Sequence, residues 1–131
     1  MRSLIKGIGQ VPIGKPGQLP YGWRKSAKGR TVWRILEEVI SQNLEAQASS
    51  LGIHDFSPAA SEVGVYDFSF KFEDSRTLYV NIKSAVQGGG VSKDDISKAD
   101  KLITFFEDTK DATLFIATIE IAFLTDPIRI E

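Results

Sequence analysis

Residues 65–84 read VYDFSFKFEDSRTLYVNIKS, and the fold turns on how the two halves of this stretch pair. Tyr66, Phe68, Phe70 and Phe72 alternate with Val65, Asp67, Ser69 and Lys71, and Leu78, Val80 and Ile82 alternate with Tyr79, Asn81 and Lys83. Alternation with period two marks strands that have one apolar and one polar face. Glu73, Asp74 and Ser75 supply turn chemistry between them, so the stretch reads as a β-hairpin.

Opposed residues of an antiparallel hairpin share a face, and their numbers have a constant sum. A sum of 148 pairs Asp67 with Asn81, and a sum of 150 pairs Asp67 with Lys83. Either even sum also places the aromatic residues on the face of Leu78, Val80 and Ile82, whereas 149 sets rings against Asn81 and Lys83. Burial stabilises by about 1.5 to 3 kcal/mol per large apolar side chain, which selects an even sum. Asp67, Asn81 and Lys83 then gather on the polar face. Asn81 stands out there, because asparagine is depleted from strands.

Outward from the hairpin, the residues after Thr31 read TVWRILEEVISQNLEAQASSLG. Val32, Ile35, Leu36, Val39, Ile40, Leu44, Ala48 and Leu51 recur at spacings of three and four, which predicts an amphipathic helix stopped by Gly52. Glu38 borders its apolar stripe and is spaced i,i+4 from Arg34. A short strand is expected near Ile53 to Phe56. Beyond the hairpin, the loop AVQGGGVS reads as a bend, and Ser92 with Asp95 resembles a capping box opening a second helix. Ile96, Ala99, Leu102, Ile103 and Phe106 form the apolar stripe of that helix. TLFIATIEIAFL is apolar at nearly every position, which predicts an interior strand covered on both faces. Its single charge, Glu120, needs a strand end or a partner. The fold class is therefore α/β, a mixed β-sheet flanked by helices in the order helix, hairpin, helix, strand.

The composition suits one soluble globular domain: 131 residues, 42% apolar and 25% charged. No cysteine is present, which excludes disulfides, thiolate metal sites and a cysteine nucleophile. The single histidine, His54 in the turn-like LGIHDFSP, reads as a surface residue rather than a catalytic one. No apolar run approaches the roughly 20 residues of a membrane helix, and MRSLIKGIGQ lacks the apolar core of a secretory signal. An unexported chain without membrane contact is expected, and the cytoplasm is its natural setting.

A net charge of −1 conceals a division. Residues 1–30 carry seven Lys and Arg and no acid, leaving nine basic and 17 acidic side chains in the remainder. This segment is rich in Gly and Pro, so it reads as an extended basic arm (1–30), with short strands at LIKGI and QVPI, attached to a single domain (31–131). Arg24, Lys25, Lys28 and Arg30 are its candidate phosphate contacts. Tyr21 and Trp23 either anchor the arm on the body or pack against sugar or base.

An acid on one strand followed by NIK on its partner resembles the PD-(D/E)xK nuclease superfamily, to which many type II restriction endonucleases belong. Asp67 matches the first acid, Asn81 stands in place of the second, and Lys83 matches the lysine. The order of elements over residues 30 to 124 is similar to that superfamily's core. The resemblance implies a small restriction-endonuclease-like core and Mg²⁺- or Mn²⁺-dependent cleavage of DNA, with Asp67 and Asn81 as metal ligands and Lys83 acting on the water and phosphate. It also implies that Glu62 or Glu38 completes the site and that a homodimer cuts both strands. If the domain binds DNA, Lys93 beside the AVQGGGVS loop is within reach of a phosphate, although the loop reads first as a plain turn. An amide in place of the second acid implies an alternative, a catalytically impaired DNA-binding or assembly protein on the same fold. Fully solvated charges would instead describe a small α/β interaction module.

Overall fold

The structure, a computed structural model, describes residues 2–14, 16–18, 21, 25–60, 64–73, 76–87, 99–125 and 128–130, with only the backbone described for some of them, residues 25–31 included. Along these residues run α1 (Arg2–Ile8), β1 (Val11–Gly14), α2 (Lys25–Ala46), β2 (Ile53–Pro58), β3 (Phe68–Phe72), β4 (Leu78–Val86), α3 (Ala99–Asp108), β5 (Thr113–Ile121), β6 (Phe123–Thr125) and β7 (Ile128–Ile130). The protein is α/β, with a mixed four-stranded sheet in the order β2-β3-β4-β5. Strands β2, β3 and β4 are antiparallel neighbours, and β5, reached through α3, lies parallel to β4. A smaller antiparallel sheet has the order β1-β7-β6.

One face of the larger sheet forms the main core. Phe68, Phe70, Val80 and Ile82 cluster with Ile53, with Ile40 and Leu44 of α2, and with Leu4 of α1. These are the apolar positions of the two alternating strands and of the helical stripe, so burial of both patterns against each other joins helix to sheet. A second cluster links Val32 of α2 to Ile121 at the end of β5, with Leu36 and Phe123 beside it. After α2, a 3₁₀ turn at Ser49–Leu51 ends on Gly52, whose φ of 67° is a left-handed conformation that favours glycine.

The N-terminal segment differs from the expected extended arm. LIKGI lies in helix α1, where Leu4, Ile5 and Ile8 have helical spacing and contribute to the main core. A helical glycine costs about 1 kcal/mol relative to alanine, so burial of these side chains outweighs Gly7. QVPI does contain a strand, since Val11–Gly14 pairs with the C-terminal Ile128–Ile130. Helix α2 begins at Lys25 rather than near Thr31, so Lys25, Lys28 and Arg30 belong to its first turns. A single Gly29 does not interrupt it, for the same reason as Gly7.

Two further expectations are corrected. Strand β5 is an edge of the four-stranded sheet, not an interior strand, and Phe115 and Ile116 are exposed. After Ile121 the chain passes into β6, which pairs with β7 of the other sheet instead of covering this edge. In α3, Ile103 and Phe106 are exposed, whereas Phe105 packs against the sheet. The reason is local: Tyr66 and Tyr79 offer an aromatic seat that Phe105 fills, with ring centroids 5.9 and 5.0 Å away. Among the described residues no helix is long and apolar enough to cross a membrane.

Candidate active site

The hairpin pairs Phe68 with Val80, Ser69 with Tyr79 and Phe70 with Leu78, a constant sum of 148. Because Val80 and Ile82 point into the core, Asn81 and Lys83 project from the opposite face of β4. Both are half-buried. Tyr79 lies on that same face under Phe105, so α3 covers the beginning of the strand and leaves its later residues to form the site.

Asp67 ends the hairpin in an unusual way. Its N–H donates to the Val80 carbonyl at 2.8 Å, and its own carbonyl accepts the N–H of Ala59, also at 2.8 Å. Continued pairing at a sum of 148 would set Tyr66 against Ile82. Instead the Ile82 N–H donates to Oδ2 of Asp67 at 2.5 Å, so a side-chain carboxylate receives a strand amide where the ladder stops. This bond holds the carboxylate at the backbone between Asn81 and Lys83. A charged acceptor strengthens such a bond to about 1.5 to 3 kcal/mol.

Asn81 is fixed by a second departure of the chain. Its Nδ2 donates to the Val65 carbonyl at 2.6 Å, while its Oδ1 is buried and has no hydrogen-bond partner among the described residues. An unsatisfied buried oxygen costs free energy comparable to a lost hydrogen bond, and a donor or cation placed there recovers it. Lys83 has no hydrogen bond or ion pair among the described residues. Its parallel neighbour on β5 is Thr118, and Ala85 lies beside the exposed Glu120. Glu120 thus occupies the penultimate position of its strand, where a lone charge is solvated.

The remaining sequence candidates lie apart. Glu38 is exposed, accepts a 2.6 Å bond from Nε2 of Gln42, and belongs to the helix on the core face. The sheet separates it from Asn81 and Lys83. Glu62, Arg24, Lys93 and the Ser92–Asp95 capping box fall outside the described residues, as do the side chains of Lys25, Lys28 and Arg30. His54 is exposed. A shallow depression of about 280 Å³, bordered by Lys71, Arg76, Tyr79 and Asp111, opens at the start of β4 and not at the site. Lys71 pairs with Asp55 at 3.1 Å and Arg76 with Asp111 at 3.8 Å, so acids offset both cations.

The chain matches no protein-family model, no curated protein and no solved structure. Asp67 and the unsatisfied Oδ1 of Asn81 are hard oxygen donors, the type that Mg²⁺ and Mn²⁺ take, and Mg²⁺ sites commonly use only one or two carboxylates with water and substrate phosphate filling the rest. Among the described residues no group of three or more His, Asp or Glu stands together to hold a metal. The donor set fits a divalent cation in type, with one carboxylate's charge to hold it. Val65 and Tyr66 are the contributors that pattern reading missed: one positions Asn81 through a carbonyl, and the other ties the approach to Asp67 against Tyr79 and Phe105. A backbone carbonyl leaves no signature in sequence.

Proposed function

We propose that this protein is a Mg²⁺- or Mn²⁺-dependent DNA endonuclease of the PD-(D/E)xK kind, working in the cytoplasm on a restriction-endonuclease-like core. One observation carries the reading: the even hairpin register, closed by the bond from the Ile82 N–H to Asp67, sets a carboxylate between Asn81 and Lys83. The order of α2, the β3–β4 hairpin, α3 and β5 supports it.

Asp67 and Asn81 would hold the cation, Asn81 through the oxygen left unsatisfied when its amide nitrogen binds Val65. When bound, the metal supplies Lewis-acid stabilisation of the phosphate and a lowered pKa for water. Lys83 places a positive charge beside the same backbone, where it neutralises charge developing on the phosphate and orients the attacking water. The Val65 and Ile82 bonds fix both oxygen donors before substrate arrives, and this preorganisation is what electrostatic catalysis requires. The basic residues between Arg2 and Arg30 supply sequence-independent attraction to the DNA backbone.

A second reading, DNA binding without cleavage, is favoured by one fact: among the described residues no group of three or more His, Asp or Glu stands together with Asp67 to hold a metal. Incubating supercoiled plasmid with Mg²⁺ or Mn²⁺ and either wild type or Lys83→Ala separates the two. Relaxed and linear products from wild type alone support the nuclease. Binding at low salt with no metal-dependent cleavage on any DNA form selects the second reading.

A further inference from the structure

Strand β5 brings side chains to the face of the proposed site. In its unbroken register with β4, Leu114 lies beside Tyr79, Ile116 beside Asn81 and Thr118 beside Lys83. The residues between them pair with Val80 and Ile82 and turn to the core, so these three share the face of Asn81 and Lys83. Phe105 of α3 covers the Tyr79 end of this face, where Leu114 is half-buried. Two residues on, Ile116 is 64% exposed, and Thr118 after it is exposed as well. Threonine suits a strand as isoleucine does and tolerates water, so strand preference alone leaves an exposed isoleucine beside Asn81 unexplained.

We propose that Ile116 is the sugar-contact residue of this site and selects deoxyribose over ribose in the bound nucleic acid. The inference rests on the nuclease reading of Asp67, Asn81 and Lys83 and gives it a residue outside that set. Neighbouring strands lie about 4.8 Å apart, so Ile116 stands one strand spacing from the proposed metal ligand. A phosphate held over Asp67, Asn81 and Lys83 carries sugar carbons as its nearest apolar atoms, and the bases lie farther along the nucleotide. An apolar side chain one strand away therefore meets a sugar before it meets a base.

The chemistry of that contact separates the two sugars. The 2′ carbon of deoxyribose is a methylene, which packs on isoleucine with no polar group to satisfy. Ribose carries a hydroxyl there, and covering it with an apolar side chain removes its bond to water without replacing it. An apolar surface rejects an added hydroxyl only modestly, even in a closed pocket, so on this open face the preference should be roughly tenfold.

Fluorescence anisotropy of the full chain at low salt with Mg²⁺ tests the proposal on three short duplexes of one sequence: DNA, RNA and 2′-fluoro RNA. The last keeps the A-form shape of RNA but lacks the hydroxyl. Wild type should bind RNA roughly tenfold more weakly than DNA, and 2′-fluoro RNA close to DNA. Ile116→Val and Ile116→Thr have the same shape and differ by one hydroxyl, and both suit an exposed strand position. The valine variant should keep the preference and the threonine variant should lose most of it, each with an unchanged circular dichroism spectrum. Phe115→Ser, on the core side of the same strand, should leave the ratio as in wild type. Equal binding of DNA and RNA by wild type, 2′-fluoro RNA bound as weakly as RNA, or an unaltered ratio in Ile116→Thr each overturns the inference and leaves the nuclease reading standing. A wild type that binds none of the three overturns both.

Discussion

Replacing Asn81 with aspartate should weaken the fold and strengthen the site. The amide nitrogen donates to the Val65 carbonyl at 2.6 Å, and an ionised aspartate has no donor to offer. The loss combines a net hydrogen bond worth about 1 kcal/mol with an unsatisfied carbonyl at about 1 to 3 kcal/mol. A second negative charge also arrives beside the carboxylate that binds the Ile82 amide. Together these predict that Asn81→Asp is about 2 to 4 kcal/mol less stable than wild type in urea unfolding without metal. The deficit should shrink in acid: once protonated, the introduced carboxyl donates to Val65 again, so the penalty is present above the variant's raised carboxyl pKa and is lost as pH falls through it. Mg²⁺ or Mn²⁺ should recover more stability in the variant than in wild type, because a cation bound to the folded state alone contributes about 2.7 kcal/mol at a hundred times its dissociation constant. A variant as stable as wild type in metal-free buffer refutes the role of the Val65 bond. A variant that gains nothing extra from either cation refutes the placement of position 81 at a metal.

Asp67→Ala removes the acceptor of the Ile82 N–H and should cost about 1.5 to 3 kcal/mol, whereas Asp67→Asn keeps an oxygen acceptor and should cost about 1 kcal/mol in the same unfolding assay; neither should cleave plasmid. Lys83→Ala, with no partner among the described residues, should stay within about 1 kcal/mol of wild-type stability while losing cleavage and keeping most DNA affinity in a filter-binding titration. Phe105→Ala empties the seat against Tyr66 and Tyr79 and should cost about 1 to 3 kcal/mol, measured by thermal unfolding, because half-buried Phe105 makes the ring contacts that join α3, which has no buried residue, to the sheet.

The hairpin was legible because two independent patterns agreed. Aromatic alternation on one strand and aliphatic alternation on the other permit only even sums, and the observed 148 follows from burying Phe68, Phe70, Val80 and Ile82 together. The α2 stripe was legible for the same reason, its Ile40 and Leu44 meeting that face. Where one pattern served two structures, sequence alone could not choose between them. TLFIATIEI is apolar on both faces whether it lies inside a sheet or at its edge, so its apolar content did not reveal an edge. LIKGI has too few residues to separate helical from strand periodicity, and the burial of Leu4 decided it. Phe105 and Phe106 are adjacent candidates for one contact, and only the positions of Tyr66 and Tyr79 select between them. At the site, types and face could be read in advance. The bonds to Val65 and Ile82 could not, because they form where the chain leaves regular pairing.

The proposed nuclease requires Asp67 and Asn81 to share a divalent cation beside Lys83. Anomalous diffraction from crystals equilibrated with Mn²⁺ tests it most directly. A manganese peak should lie within coordination distance of an Asp67 carboxylate oxygen and of Oδ1 of Asn81, and should be lost in Asp67→Asn crystals. Saturating Mn²⁺ with no peak at these two side chains, or peaks only elsewhere on the protein, would contradict it.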